Sequence, residues 1–384
     1  MISFDLTREQ SDMRDLAHRF AEKEIRPVAA EFDEREEVPW EVIRKAAQSG
    51  FLSYFVPEEY GGGGITDMLT HCLVDEELFW GCAGVGTILG GTSLCAMPIL
   101  IAGNESQKAR YLSRFCDPAQ PKLGAFALTE PSAGSDPVSL VTQAHREGNY
   151  YVINGQKTFI TNAGIADVYV IFATLDVNLG YRGITAFIAE KDWDGLLPGK
   201  KEKKMGIRAS HTATLVLDNL RVPVENRLGD EGEGFKTAMK TFEYTRTHIA
   251  IAAVGLARAA YEYVLDYSQQ RVQFGKPIIH HQAVAFMLAD MATQIDASRL
   301  LAWRAACLAD QGMPCTKEAS MAKAFAADVA MKVTTDAVQI LGGYGYMRDY
   351  PVEKWMRDAK IMQIYEGTAQ IQRMIIARHL ARAR

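Results

Sequence analysis

The chain has 384 residues, 48% hydrophobic and 23% charged, with a mean hydropathy of −0.09. This is the composition of a soluble globular protein long enough for two or three domains and a sizeable core. A net charge of −5 and a pI of about 6.0 leave no basic footprint for nucleic acid, so no such partner is expected.

Met1 to Leu6 carry neither a basic nor an apolar leader region. No signal or transit peptide is expected, and the location is read as cytoplasmic. Cysteines at 72, 82, 95, 116, 307 and 315 form no CxxC pair and read as buried thiols in a reducing compartment. His280 and His281 are adjacent and point apart, so no metal site is expected.

Residues 1–118 read as helical. Asp5 or Thr7 caps a first helix reaching Ile25, and a second spans 40–49, stopped by Gly50. Gly61 to Gly64 form a flexible turn; no Lys-Ser/Thr follows them, which argues against a phosphate cradle. A helix over 66–79 comes next. Residues 78–104 carry no charge, enough length to span a bilayer. Their glycines, Pro98, and Glu76 and Glu77 at the entrance point instead to a buried helix pair whose apolar surface can line a pocket. A short helix covers 105–115.

The period changes near Lys122. Strands are expected at 123–128, 167–174, 183–188 and 212–217, with a hairpin over 150–160 turning at Asn154-Gly155. Without intervening helices these strands argue an antiparallel β domain over 119–228. From 229 to 384 the pattern is helical again: one or two helices over 235–266, then 282–311, 316–341 and a final pair from 351. Long Ala-rich helices with short turns suggest a four-helix bundle. The fold class is α+β and multidomain: helical, then β, then a bundle.

Polar motifs stand where local structure changes. Leu128-Thr129-Glu130-Pro131-Ser132-Ala133-Gly134-Ser135-Asp136 follows a strand and offers hydroxyls and close backbone approach, as any turn of this composition does. Phe159-Ile160-Thr161-Asn162 sets an aromatic face before a hydroxyl, suited to stacking on a flat ring or simply to a core. Arg271-Val272-Gln273-Phe274-Gly275-Lys276-Pro277 is a loop between helices with an exposed cation. Gln339-Ile340-Leu341-Gly342-Gly343 is not a dinucleotide fingerprint, but its helix end can abut a cofactor phosphate. Near the C-terminus, Ile364-Tyr365-Glu366-Gly367-Thr368 places a carboxylate among apolar side chains. Burial there raises a carboxylate's pKa and makes it a better proton acceptor near neutral pH. On its own, a Glu before Gly is also an ordinary helix-end residue.

Taken in order, these motifs and Asn154-Gly155-Gln156-Lys157-Thr158 resemble the acyl-CoA dehydrogenase family over essentially the whole chain, most closely its medium-chain and short-chain branch. The resemblance implies an FAD enzyme that oxidises an acyl-CoA to the trans-2-enoyl-CoA. It implies Glu366 as the base for the α-proton, with the β-hydride passing to flavin N5. Its backbone N–H, with the flavin ribityl 2′-hydroxyl, polarises the thioester carbonyl. Some members carry the base at the position of Thr245, which has no carboxylate here.

For FAD the resemblance implies Phe126, Leu128, Thr129, Phe159 (usually Trp in the family) and Thr161 along the flavin. Arg271, Gln273 and Phe274 reach the FAD of a neighbouring subunit, and Gln339, Gly342, Gly343, Thr368 and Gln370 hold its ADP part. For substrate it implies Ser135, Glu243, Arg246, which helps hold the catalytic loop or the CoA end, Tyr365 and Gly367. A homotetramer and electron-transfer flavoprotein as acceptor follow, with a flavin oxidase or a non-catalytic binder as alternatives. The uncharged run lines the acyl pocket, with Trp80, Leu89, Thr92, Leu94 and Met97 setting its depth. The absence of Arg or Lys in that run argues against a dicarboxylyl substrate. A medium-chain, branched or cyclic non-acidic acyl group is expected.

Overall fold

The computed structural model describes residues 5–382; the leader reading at Met1 to Phe4 lies outside them. Helix α1 (Arg8–Phe20) opens on a capping box, in which Thr7 accepts from the Gln10 backbone and the Gln10 side chain accepts from the Thr7 N–H. The helix runs on through a wider turn to Ile25. Helices α2 (Ala29–Arg35) and α3 (Trp40–Gln48) follow, then α4 (Met68–Gly81), capped by Asp67. Helix α5 (Ala83–Ala102) and α6 (Glu105–Leu112) complete the first part.

The uncharged run is therefore the end of α4 and one long helix, broken at the extended Cys82, rather than a helix pair of its own. Among the described residues, α5 and the later Gly234–Gln270 helix are long and apolar enough to cross a membrane; most of the apolar window of each is buried inside the fold. Glu76 and Glu77 are buried as well. Arg258 and Arg299 hold Glu76 at 2.6 and 2.9 Å and Arg258 also holds Glu77, tying α4 to the helices of the C-terminal part, while His18 of α1 contacts Glu77 from the other side.

The middle part is one sheet of β1 (Gly124–Ala127), β2 (Gln143–Glu147), β3 (Tyr150–Thr161), β4 (Val168–Thr174), β5 (Ile184–Glu190), β6 (Leu196–Lys201), β7 (Thr212–Pro223) and β8 (Arg227–Leu228). Its order is β6-β7-β3-β2-β4-β5-β8, with β1 on β4. Most pairs are antiparallel, but β1–β4 and β2–β4 are parallel, because residues between them supply the long crossover a parallel pair needs. The expected hairpin turn at Asn154-Gly155 is absent: β3 continues through a register shift between Ile153 and Gly155. Gly155 is required there because a Cβ would collide with the Thr142 hydroxyl. The strand's partners are β2 and β7, so the Asn-Gly pair marks a bulge, not a reversal.

The last part holds α7 (Gly234–Gln270), a hairpin of β9 (Val272–Gln273) and β10 (Lys276–Pro277), then α8 (Gln282–Asp310), α9 (Thr316–Leu341), α10 (Val352–Met362) and α11 (Ala369–Arg382). Helix α9 packs against α7, α8, α10 and α11, the bundle expected from the Ala-rich pattern. The Arg271 loop is thus a short hairpin, turned by the left-handed Phe274 and Gly275. Cys72, Cys82 and Cys95 are buried, but Cys116 and Cys315 are half-buried and Cys307 is exposed, which corrects the reading of all six as core thiols.

Candidate active site

A cavity of about 550 Å³ lies where α4, α5, the sheet, α7 and the loop before α11 meet. It gathers Phe126, Leu128, Thr129, Ser135, Phe159, Thr161, Arg246, Tyr365, Glu366 and Gly367. Residues of the uncharged run also face it: Phe79, Thr87, Gly90, Gly91, Ser93 and Leu94.

Glu366 reaches this space because its backbone is left-handed, φ 53°, followed by Gly367 at φ 88°. A non-glycine residue is rarely held so, and two buried groups hold the loop. Lys323 donates to the Gly367 carbonyl at 2.8 Å, and the Gln372 side-chain amide donates to the carbonyls of Glu366 and Gly367 at 3.2 and 3.0 Å. Arg246, expected to help hold this loop, makes no hydrogen bond to it among the described residues. Its Nε is buried without a partner beside the cavity. Sequence reasoning missed Lys323 and Gln372; the signal available was a lysine within the apolar face of an Ala-rich helix and a polar residue one turn into α11.

The Thr245 hydroxyl donates to Glu366 Oε2. Burial raises the Glu366 pKa, opposed by Thr245, His248, Arg246 and Lys323, so the net shift is upward, as its apolar flanks suggested. Burial lowers Lys323 to about 8 despite Glu366. The backbone N–H of Glu366 has no acceptor among the described residues.

On the opposite side, Phe159 is 66% exposed and left-handed, φ 57°, a large aromatic face left bare on the cavity wall. The hydroxyls of Thr129 and Thr161 have no hydrogen-bond partner among the described residues. Two anchors fix this wall. The Glu130 carboxylate accepts from Lys157 at 2.6 Å and from the Val141 N–H at 2.7 Å, in a pair that is essentially fully buried. Asn162 donates to the carbonyls of Ile88 and Gly124 at 3.0 and 3.1 Å, pinning the end of β3 to α5 and β1. Glu130, Lys157 and Asn162 all lie inside the motifs, but nothing local marks them as anchors, because their partners are distant in the chain.

A second group of motif residues lies elsewhere. Arg271, Gln273, Gln339, Gly342 and Gly343 are exposed, and Phe274 is 94% exposed. Arg271 stands 5.5 Å over the Tyr344 ring, so the β9–β10 hairpin and the Gly342 turn adjoin. Gln370 is exposed on α11, and the Thr368 hydroxyl accepts from the Ile371 N–H at 3.2 Å, capping that helix. Glu243 lies outside the cavity and accepts from the Thr316 hydroxyl at 2.6 Å. Of the residues expected to set pocket depth only Leu94 lines the cavity. Trp80 is buried with its indole N–H on Glu262 at 2.6 Å, and the Thr92 hydroxyl accepts from the Gly124 N–H.

Residues 7–118, 125–220 and 232–381 match the N-terminal, middle and C-terminal domains described for acyl-CoA dehydrogenase. The chain belongs to the acyl-CoA dehydrogenase family. It is 49% identical to "Acyl-CoA dehydrogenase" of Bacillus subtilis (strain 168), covering 98% of each chain. It superposes on butyryl-CoA dehydrogenase from Megasphaera elsdenii with a TM-score of 0.96 at 47% identity, covering 99% of this chain and 100% of that one. It also superposes, with a TM-score of 0.97 at 48% identity over 99% of this chain and 100% of the other, on a chain in the structure described as "Electron transferring flavoprotein of Acidaminococcus fermentans: Towards a mechanism of flavin-based electron bifurcation".

Proposed function

We propose that this acyl-CoA dehydrogenase carries out FAD-dependent α,β-dehydrogenation of a non-acidic acyl-CoA, with Glu366 as the base. The observation that carries the reading is a half-buried carboxylate of raised pKa, held on the cavity wall by a loop with left-handed backbone. The cavity fits a flavin on its own chemistry: a bare aromatic face at Phe159, apolar walls at Phe126 and Leu128, and partnerless hydroxyls at Thr129 and Thr161. FAD, when bound, accepts the β-hydride at N5.

The chain's own residues do the rest. Glu366 takes the α-proton, and burial keeps it basic enough to do so near neutral pH. The Thr245 hydroxyl engages Oε2 and leaves Oε1 for the proton. The partnerless N–H of Glu366 is suited to receive the thioester oxygen as enolate charge develops. Ser135, Arg246, Tyr365 and Gly367 border the acyl-CoA from the cavity, and Glu243 approaches from outside it.

Arg271, Gln273, Phe274, Gln339, Gly342, Gly343, Thr368 and Gln370 are read as completing an FAD site across subunits. Support comes from Phe274, almost fully exposed on a hairpin tip beside the Gly342 turn. This reading requires an oligomer, a homotetramer by family resemblance. The likeness to a protein named butyryl-CoA dehydrogenase supports a short acyl chain over the medium one first expected, and the likeness to a chain in an electron-transferring flavoprotein structure supports that acceptor.

A panel of straight, branched and cyclic acyl-CoAs added without oxygen tests the function. Flavin bleaching with release of the 2-enoyl-CoA is expected. Peroxide formed in air at a comparable rate would instead identify an oxidase, and no bleaching with any member would identify a binding protein.

A further inference from the structure

The cavity wall between α4 and α7 is not apolar. Asp75 and His248 both line the cavity, with His248 Nδ1 and Asp75 Oδ2 2.5 Å apart. The Tyr54 hydroxyl donates to the other Asp75 oxygen at 3.2 Å. The His71 ring lies 5.5 Å from the His248 ring, and its Nε2 is occupied by the Ile65 carbonyl. Burial opposes charge on His248, but Asp75 and then Glu366 outweigh it and raise its pKa. His71 is pushed down to about 4, mainly by burial. Asp75 engages Nδ1, and the second ring nitrogen of His248, Nε2, has no partner among the described residues.

A pocket for a plain alkyl chain gains nothing from such a pair, because an alkyl group strips water from Nε2 without replacing its hydrogen bond. We propose that Asp75 and His248 form a specificity site for an acyl group bearing a neutral hydroxyl or carbonyl oxygen, received by His248 Nε2. This rests on the dehydrogenase reading above. A neutral oxygen is selected because an anionic tail would face the carboxyl groups of Asp75 and Glu366 on the same cavity lining. A carbonyl on the β carbon leaves no hydride to transfer, and a hydroxyl on the α or β carbon would yield an enol rather than a plain 2-enoyl product, so the oxygen is on the fourth carbon or beyond. Position agrees, since His248 is three residues after Thr245 on the same face of α7, one turn beyond the hydroxyl that holds Glu366.

The test compares kcat/KM for anaerobic flavin bleaching by 4-oxopentanoyl-CoA and pentanoyl-CoA in the FAD-loaded enzyme. The expected preference for the oxygenated substrate is at least about tenfold. It falls to near one in His248→Leu and in Asp75→Asn, and His248→Gln, which keeps a donor, retains part of it. Variants are compared only after their bound flavin absorbance matches the parent, so that misfolding is not scored. A preference below tenfold in the parent enzyme, or one that survives His248→Leu, overturns the specificity site while leaving the dehydrogenase reading standing. Failure of both substrates, together with a plain butyryl-CoA control, to bleach the flavin brings down both.

Discussion

The two groups of motif residues have opposite surroundings. Around Glu366 and the Thr129 wall, each position is fixed by buried polar contacts within one chain: Lys323 and Gln372 on the loop, Glu130 with Lys157 under the turn, Asn162 at the end of β3. Around Phe274 and Gly342 the side chains stand in solvent, with an Arg271–Tyr344 contact joining them. The difference is physical. Catalytic geometry requires a base held in one orientation in a dry site, and one chain can supply that from its core. A surface group that gains its partners from another chain has no need of internal anchors.

That contrast can be broken or sharpened by substitution. The largest effect is expected at Glu366. Glu366→Gln keeps shape and removes the base, and single-turnover anaerobic bleaching slows by about 10³-fold. The next is at the buried anchor. Glu130→Ala leaves Lys157 buried and unpaired, so thermal unfolding reports a loss of about 3–5 kcal/mol. Burial raises the Glu130 pKa, but Lys157 and the backbone donors outweigh it and depress it overall. The stability it contributes is therefore present above its unfolded pKa of about 4.3 and is lost as pH falls through the lower folded value, so the gap between parent and variant closes in acid.

Smaller effects are expected from the open group. Arg271→Ala weakens flavin retention about tenfold, read as flavin released on dilution. Parent-like retention would place Arg271 outside the cofactor site. The smallest is Thr368→Ala, about 1 kcal/mol in unfolding through the lost cap of α11. A much larger loss of bound flavin than of stability would show that Thr368 also serves the cofactor.

Much of this was legible in the sequence where local chemistry decides. The helical–β–helical order followed from period changes, whereas Glu366, an ordinary helix-end residue by its neighbours alone, stood out through the order of the motifs and the family resemblance they carry. What long-range contacts decide was not legible. Asn154-Gly155 has the composition of a hairpin turn, yet pairing of β3 with both β2 and β7 makes it a bulge. Trp80, Leu89 and Thr92 share the uncharged run with Leu94, but helix rotation turns them into the core. Asp75 and His248 are 173 residues apart, and nothing local links them until α4 packs on α7.

The central claim is that Glu366 removes the α-proton. The most direct measurement is exchange of the α-hydrogens of butyryl-CoA with solvent deuterium, followed by mass spectrometry in FAD-loaded parent enzyme and Glu366→Gln without an electron acceptor. Deuterium entering only with the parent is the result predicted. Equal exchange in both would mean that another group takes the proton.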